Sequence, residues 1–197
     1  MKKMDIKAFT LIILVIVIGA LFYYVYLGNH SARQKESSNQ TEAEKLLNYD
    51  FENDYPKTVR ETVKLHNTYL KYAYNGTFTE EELETVNKDI RQLFDDELLQ
   101  YNSEEDQLSG LKEEIQSYND DEKKFVNFSV AEGSQVQYNT DNGRNYAKIR
   151  VSLVIKVKGA SAYPEEDYIL RQDENGNWKI LGWQAVATEE ATTQEKE

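Results

Sequence analysis

Cysteine is missing from all 197 residues, so disulfides, thiol nucleophiles, thiolate metal sites and an anchor lipidated on cysteine are excluded. Histidine is almost missing. His30 and His66 are the only two and fall in different parts of the chain, which leaves no imidazole pair for a folded metal site, and no cofactor is expected. Bases are in deficit, 23 against 35 acids for a formal charge of -12, a balance that disfavours nucleic acid as a partner. Proline occurs only at Pro56 and Pro164, each where one stretch of patterned sequence gives way to another. The whole chain, 29% charged and 40% hydrophobic, has the balance of a globular protein.

One long hydrophobic run stands out. Ala8 to Gly28 holds 21 residues without a charge. A helix of that length, at ~1.5 Å per residue, reaches roughly 31 Å and matches the hydrocarbon core of a bilayer. Lys2, Lys3 and Lys7 precede the run, and Tyr23, Tyr24 and Tyr26 lie near its far end, where amphipathic rings favour the headgroup layer. The run is too long for a signal-peptide core, and the candidate cleavage site around His30-Ser31-Ala32 carries a bulky histidine where a small residue is needed. An uncleaved, single-pass anchor over 8–28 is the expectation. The lysines before the span, set against Arg33, Lys35 and Lys45 after it, place residues 1–7 in the cytoplasm and the C-terminal domain outside the cell membrane. The lack of cysteine agrees, because many surface proteins of Gram-positive bacteria avoid it while eukaryotic ectodomains carry disulfides. In such a bacterial chain the four Asn-x-Ser/Thr triplets, at Asn29, Asn39, Asn75 and Asn127, read as chance.

Residues 29–54 are rich in Ser, Asn, Gln and Glu and read as a polar linker with a short helical extension at 42–47. A domain over 55–187 and a flexible tail over 188–197 follow. Thr58 with Glu61, and Thr79 with Glu82, fit the T-x-x-E capping box, and Ser103 with Asp106 opens a third helix. The second of these helices keeps its apolar stripe through Leu93 and Phe94, with Leu98 and Leu99 after an acidic interruption. From Lys123 the period changes from 3.6 to 2. One strand spans Phe125 to about Tyr138 with a bulge at Glu132-Gly133, and Asp141-Asn142-Gly143 makes a hairpin turn. In the next strand Ala147, Ile149, Val151, Leu153, Ile155 and Val157 face the core. Residues 159–164 turn the chain, and strands at 168–172 and 178–186 complete the pattern. The reading is α+β: about three helices packed on a curved four-stranded antiparallel sheet.

The order of these elements, with Gly176-Asn177-Trp178-Lys179-Ile180 in the last hairpin, resembles the nuclear transport factor 2-like (cystatin-like α+β cone) superfamily, whose last hairpin carries a Gly-x-Trp-Lys-Ile signature. The layout, including the segment from Tyr55 to Asn67, also looks like a membrane-anchored Firmicute family whose role is uncharacterised. The anchor-plus-domain plan is similar to that of the assembly-factor subunit of type IV secretion channels. The resemblance covers about residues 50–187 and implies the cone fold, with Trp178 and Ile180 both pointing at the helices. It implies no single activity, because that fold hosts isomerases, dehydratases and non-catalytic interaction modules alike. Isomerases of the superfamily pair an aspartate base with a tyrosine, and neither Tyr69 nor Tyr74 has a carboxylate partner identifiable in the sequence.

Few residues invite chemistry. His66, on the apolar face of the first helix, is the candidate for acid-base work, and with Tyr69 it marks a possible pocket; the plain reading is a histidine satisfied within the core. Asp173 to Asn177 lacks the remaining ligands of a calcium loop and reads as a β-turn. Charge is unevenly spread: residues 79–122 hold 16 acids and 3 bases, whereas 123–158 hold 7 bases and 2 acids. Lys148, Arg150, Lys156 and Lys158 alternate with core residues and form a possible interaction surface on the outer face of the sheet, suited to an acidic partner or an anionic wall polymer. The plainer alternative is that these bases pair across strands with Glu165, Glu166 or Asp167. The expectation is a non-enzymatic, membrane-anchored accessory domain with a protein or cell-wall partner. The alternatives are a cone holding a small apolar ligand and an enzyme using His66.

Overall fold

The computed structural model describes residues 40–187, and the anchor segment 8–28 and the tail lie outside them. Among the described residues no helix is long and apolar enough to cross a membrane. Helices come first: α1 (Glu42–Leu47), α2 (Val59–Tyr74), α3 (Glu80–Gln92), α4 (Asp96–Tyr101) and α5 (Glu104–Asp120). Leu46 is buried and its carbonyl accepts from the Tyr69 hydroxyl at 2.8 Å, so part of the stretch read as linker packs onto the domain.

The helix starts follow local chemistry. Thr58 accepts from Glu61 N and the Glu61 carboxylate accepts from Thr58 N, and Thr79 with Glu82 repeats that reciprocal box, so two otherwise orphaned donors are satisfied at each start. Ser103 accepts from Asp106 N at the head of α5. At the end of α2 the Asn75 side chain bonds both the N–H and the C=O of Phe125, so this triplet asparagine ties the helix to the sheet. Among the described residues α1 is the short extension expected at 42–47, and beyond it four helices stand where about three were expected. Leu93 and Phe94 leave the helix after Gln92, run alongside Ile180, and Asp95 then caps a new short helix.

Six strands follow: β1 (Lys123–Val130), β2 (Gln137–Asp141), β3 (Arg144–Val157), β4 (Ala160–Ala162), β5 (Glu165–Gln172) and β6 (Trp178–Ala185). The order β1-β3-β5-β6 is antiparallel throughout; β2 joins β1 on one edge of β3, and β4 joins β5 on the other. The four-strand expectation is thus corrected at two breaks. The single strand expected over 125–138 is interrupted by a 3-10 turn at Gly133–Gln135, and the expected turn at 159–164 contains a short paired strand. Asn142 and Gly143 both have positive φ, 48° and 76°, as a two-residue hairpin turn demands. On β3, Ala147, Ile149, Val151 and Leu153 are buried as their alternation predicts. α2 lies on that face, meeting β1, β3 and β6.

Bulges decide which residues share the face. On β6, Ile169 pairs with Gly182 and Leu170 with Ile180, so Leu181 is an extra residue and the alternation reverses beyond it. Ile180 and Trp183 therefore both face inward although three positions apart. On β1 the register shifts between Phe125 and Asn127, which leaves Val126 exposed and brings Phe125 and Phe128 edge to face. Trp178 lies on the same face as Ile180, two positions away with no bulge between them, but only Ile180 is fully buried; Trp178 is half-buried beside Tyr138 at the sheet's end.

Candidate functional site

The inner face carries a polar cluster within the core. His66 is 1% exposed, with Nδ1 3.2 Å from the Tyr168 hydroxyl. Asn67 donates to the same hydroxyl at 3.1 Å and to the Val63 carbonyl. Phe94, Tyr168 and Trp183 wall the imidazole, with ring centroids 5.6, 5.7 and 4.9 Å away, and Trp183 stacks on Tyr168. Burial pushes the His66 pKa down to about 3, so the ring is neutral at physiological pH. Among the described residues His66 Nε2 and Asn67 Oδ1 have no hydrogen-bond partner. A tyrosine hydroxyl does reach His66, as catalysis would need, but the imidazole itself is closed off from solvent, with Trp183, 40% exposed, as the outermost of its aromatic neighbours.

Tyr69, the other residue of the possible pocket, is fully buried. Its hydroxyl contacts the Leu46 carbonyl and also the Asp89 carboxylate at 3.3 Å, a partner from α3 that sequence spacing does not reveal. Burial raises the Asp89 carboxyl to about 6 despite that hydrogen bond. Tyr69 thus joins α1, α2 and α3.

The outer face divides the basic stripe. Lys148 and Arg150 converge on Asp167, which is buried beneath them. Arg150 donates from Nε to Oδ1 at 2.8 Å and from Nη2 to Oδ2 at 3.1 Å, and from Nη1 to Glu165 at 3.2 Å. Lys148 reaches Asp167 at 2.9 Å, and Ser152 donates to Glu165. Arg150 first, and then Lys148, hold the Asp167 carboxyl at about 2. Glu166, the third acid considered as a partner, points the other way and shares the Tyr168 hydroxyl. Lys156 sits opposite Lys124 on β1 and Ser161 on β4, away from this network. Lys158 lies one residue beyond β3 in the left-handed conformation, φ 49°, and is therefore not on the strand face as its spacing predicts. The four bases do not form one continuous surface.

A groove of about 500 Å³ opens over Lys148 and Arg150, bounded by Gln135, Gln137, Glu165 and Asp167. The sequence pattern places Gln137 beside Lys148 only once the register is known, and nothing local signals that Ala131 and Gln135, from the segment between β1 and β2, border the groove. Asp173 closes the β5–β6 turn by accepting from Asn175 N and Asn177 N, which is the turn geometry expected of that acidic stretch.

Over residues 1–183 the chain matches the family described as Domain of unknown function (DUF6715). No curated protein matches it. Among solved structures it is similar to the crystal structure of CagV, a VirB8 homolog of T4SS from Helicobacter pylori strain 26695. That similarity has 10% identity and a TM-score of 0.38, covering 64% of this chain and 98% of that one.

Proposed function

The chain belongs to the DUF6715 family, whose description names no activity, and from its own chemistry we propose a membrane-anchored, non-catalytic binding domain of the nuclear transport factor 2-like cone type, held outside a bacterial cell membrane. The observation that carries the non-catalytic reading is the burial of His66, the one histidine of the described residues, with its ring neutral and walled by Phe94, Tyr168 and Trp183. General acid-base work needs a group near its working pKa within reach of a substrate, and His66 is removed from both conditions. The side chains open to solvent and rich in hydrogen-bonding groups are on the other side of the sheet. A protein or cell-wall component is the partner class this reading calls for.

The anchor and its orientation rest on the uncharged run 8–28 and on Lys2, Lys3 and Lys7 before it. Protease added to intact protoplasts of the native cell should digest the domain over 46–187. A domain that survives until the membrane is permeabilised would invert the orientation and overturn the surface reading.

A further inference from the structure

The strip of chain between β1 and β2 has a geometrical consequence. Val130 pairs with Val151 and Gln137 with Lys148, so the six residues between them lie opposite only Ile149 and Arg150 of β3. They cannot remain in the plane of the sheet, and the 3-10 turn Gly133–Gln135 forms within this excursion. The excursion is fastened at several points. Ala131 N donates to the Arg150 carbonyl at 2.9 Å, Arg60 of α2 donates from Nε to the Ala131 carbonyl at 3.1 Å and pairs with Glu132, and Glu132 N donates to the Gln135 side-chain oxygen at 3.0 Å. The groove beside it is therefore built before any ligand arrives, which lowers the ordering cost of binding.

Its floor is balanced in charge and rich in donors. Lys148 and Arg150 face Glu165 and Asp167, two bases against two acids. Arg150 has five N–H groups, of which the contacts to Asp167 and Glu165 use three; Lys148 has three, of which Asp167 takes one. Gln135, whose side-chain oxygen accepts from Glu132 N, and Gln137 both line the groove and bring amide donors to it. An anionic ligand would meet Glu165 and Asp167 along with the bases. A neutral ligand dense in hydroxyl and carbonyl groups can accept from the unspent donors and give its own hydroxyl hydrogens to Glu165 and Asp167 without net charge repulsion. The volume lies in the range of small-molecule sites.

We infer that this outer-face groove, between the Gly133–Gln135 turn and the Lys148–Arg150–Asp167 network, is a binding site for an uncharged saccharide segment. It deepens the reading of the domain as a binding module by naming the ligand class. The test uses the full-length chain in detergent, titrated calorimetrically with an uncharged N-acetylhexosamine tetrasaccharide, and separately with polyglycerol phosphate, at low and high salt. Saturable, salt-insensitive binding of the tetrasaccharide is expected, weakened about tenfold by Gln137→Ala as one hydrogen-bonding group is lost, with the thermal midpoint unchanged. Three results would overturn the inference: no tetrasaccharide binding at millimolar concentration, binding indifferent to Gln137→Ala, or salt-sensitive binding of polyglycerol phosphate that Gln137→Ala abolishes. A negative titration, in a chain whose domain external protease still digests, removes the saccharide and leaves the anchored binding module standing.

Discussion

Replacing Asp95 by alanine should destabilise the domain by about 3–5 kcal/mol, the range for breaking a buried ion pair from one side. Arg171 and Asp95 have side chains only 11% and 6% exposed, and the guanidinium grips both carboxylate oxygens, Nε at 2.9 Å from Oδ2 and Nη2 on Oδ1. The same carboxylate accepts from Glu97 N and so caps α4, while Asp95 N donates to the Ile180 carbonyl. Removing it leaves a buried cation whose remaining carboxylate partner is the exposed Glu97, at 2.9 Å, and an uncapped helix. Arg171→Met should cost a similar amount by stranding the carboxylate. The double variant Asp95→Ala with Arg171→Met should lose less than the sum of the two single losses, because no uncompensated charge remains. Chemical denaturation of all four proteins measures this, and additive losses in the double variant would show that the pair is not coupled.

Ile180→Ala is expected to cost about 2–5 kcal/mol, and Trp178→Ala a smaller amount, about 1–2 kcal/mol, although tryptophan is the larger side chain. Ile180 is fully buried, and its backbone N–H and C=O bond Leu93 and Asp95 at 2.7 and 2.8 Å, so its side chain packs where β6 receives the segment between α3 and α4. Trp178 is half-buried beside Tyr138. The Trp178 carbonyl, which accepts from Tyr55 and Thr62, survives the substitution. Denaturation midpoints in the reverse order would place Trp178, rather than Ile180, at the centre of the packing on this face.

What the sequence makes legible here is whatever is encoded over a few residues. The capping boxes at Thr58 and Thr79, the Asn142-Gly143 turn and the buried face of β3 depend on neighbours at most four positions away or on strict alternation, and they stand where the pattern places them. What it hides depends on register. A reader alternating along β6 from Ile180 would send Trp183 outward; the extra residue Leu181 turns it back over Tyr168 and His66. The end of α3 at Gln92 is equally opaque, because Leu93 and Phe94 continue the helical stripe while their actual partner is Ile180, more than eighty positions on. The candidate site follows the same division. The outward direction of Lys148 and Arg150 is in the alternation, and their pairing with Glu165 and Asp167 is the plainer of the two readings that alternation allowed. The excursion at 131–136, from which Ala131 and Gln135 border the groove, is set by two pairings on β3 that no local pattern records.

The central claim is that the interior of this domain is packing and its recognition chemistry is outside, and the imidazole of His66 tests it most directly. With the full-length chain labelled at histidine and its two signals assigned through a His30→Gln variant, a pH titration followed by NMR should find His66 neutral from pH 8 down to about 4, as burial demands of a ring whose pKa is pushed to about 3. Because that folded-state value lies below the 6.5 of an unfolded histidine, the unfolded chain binds the proton first, and stability should fall as pH drops from about 6.5 toward 3. A His66 signal that titrates near pH 6–7 while the domain stays folded would contradict the account, since it would put the ring in contact with water and return it to the range where acid-base chemistry operates.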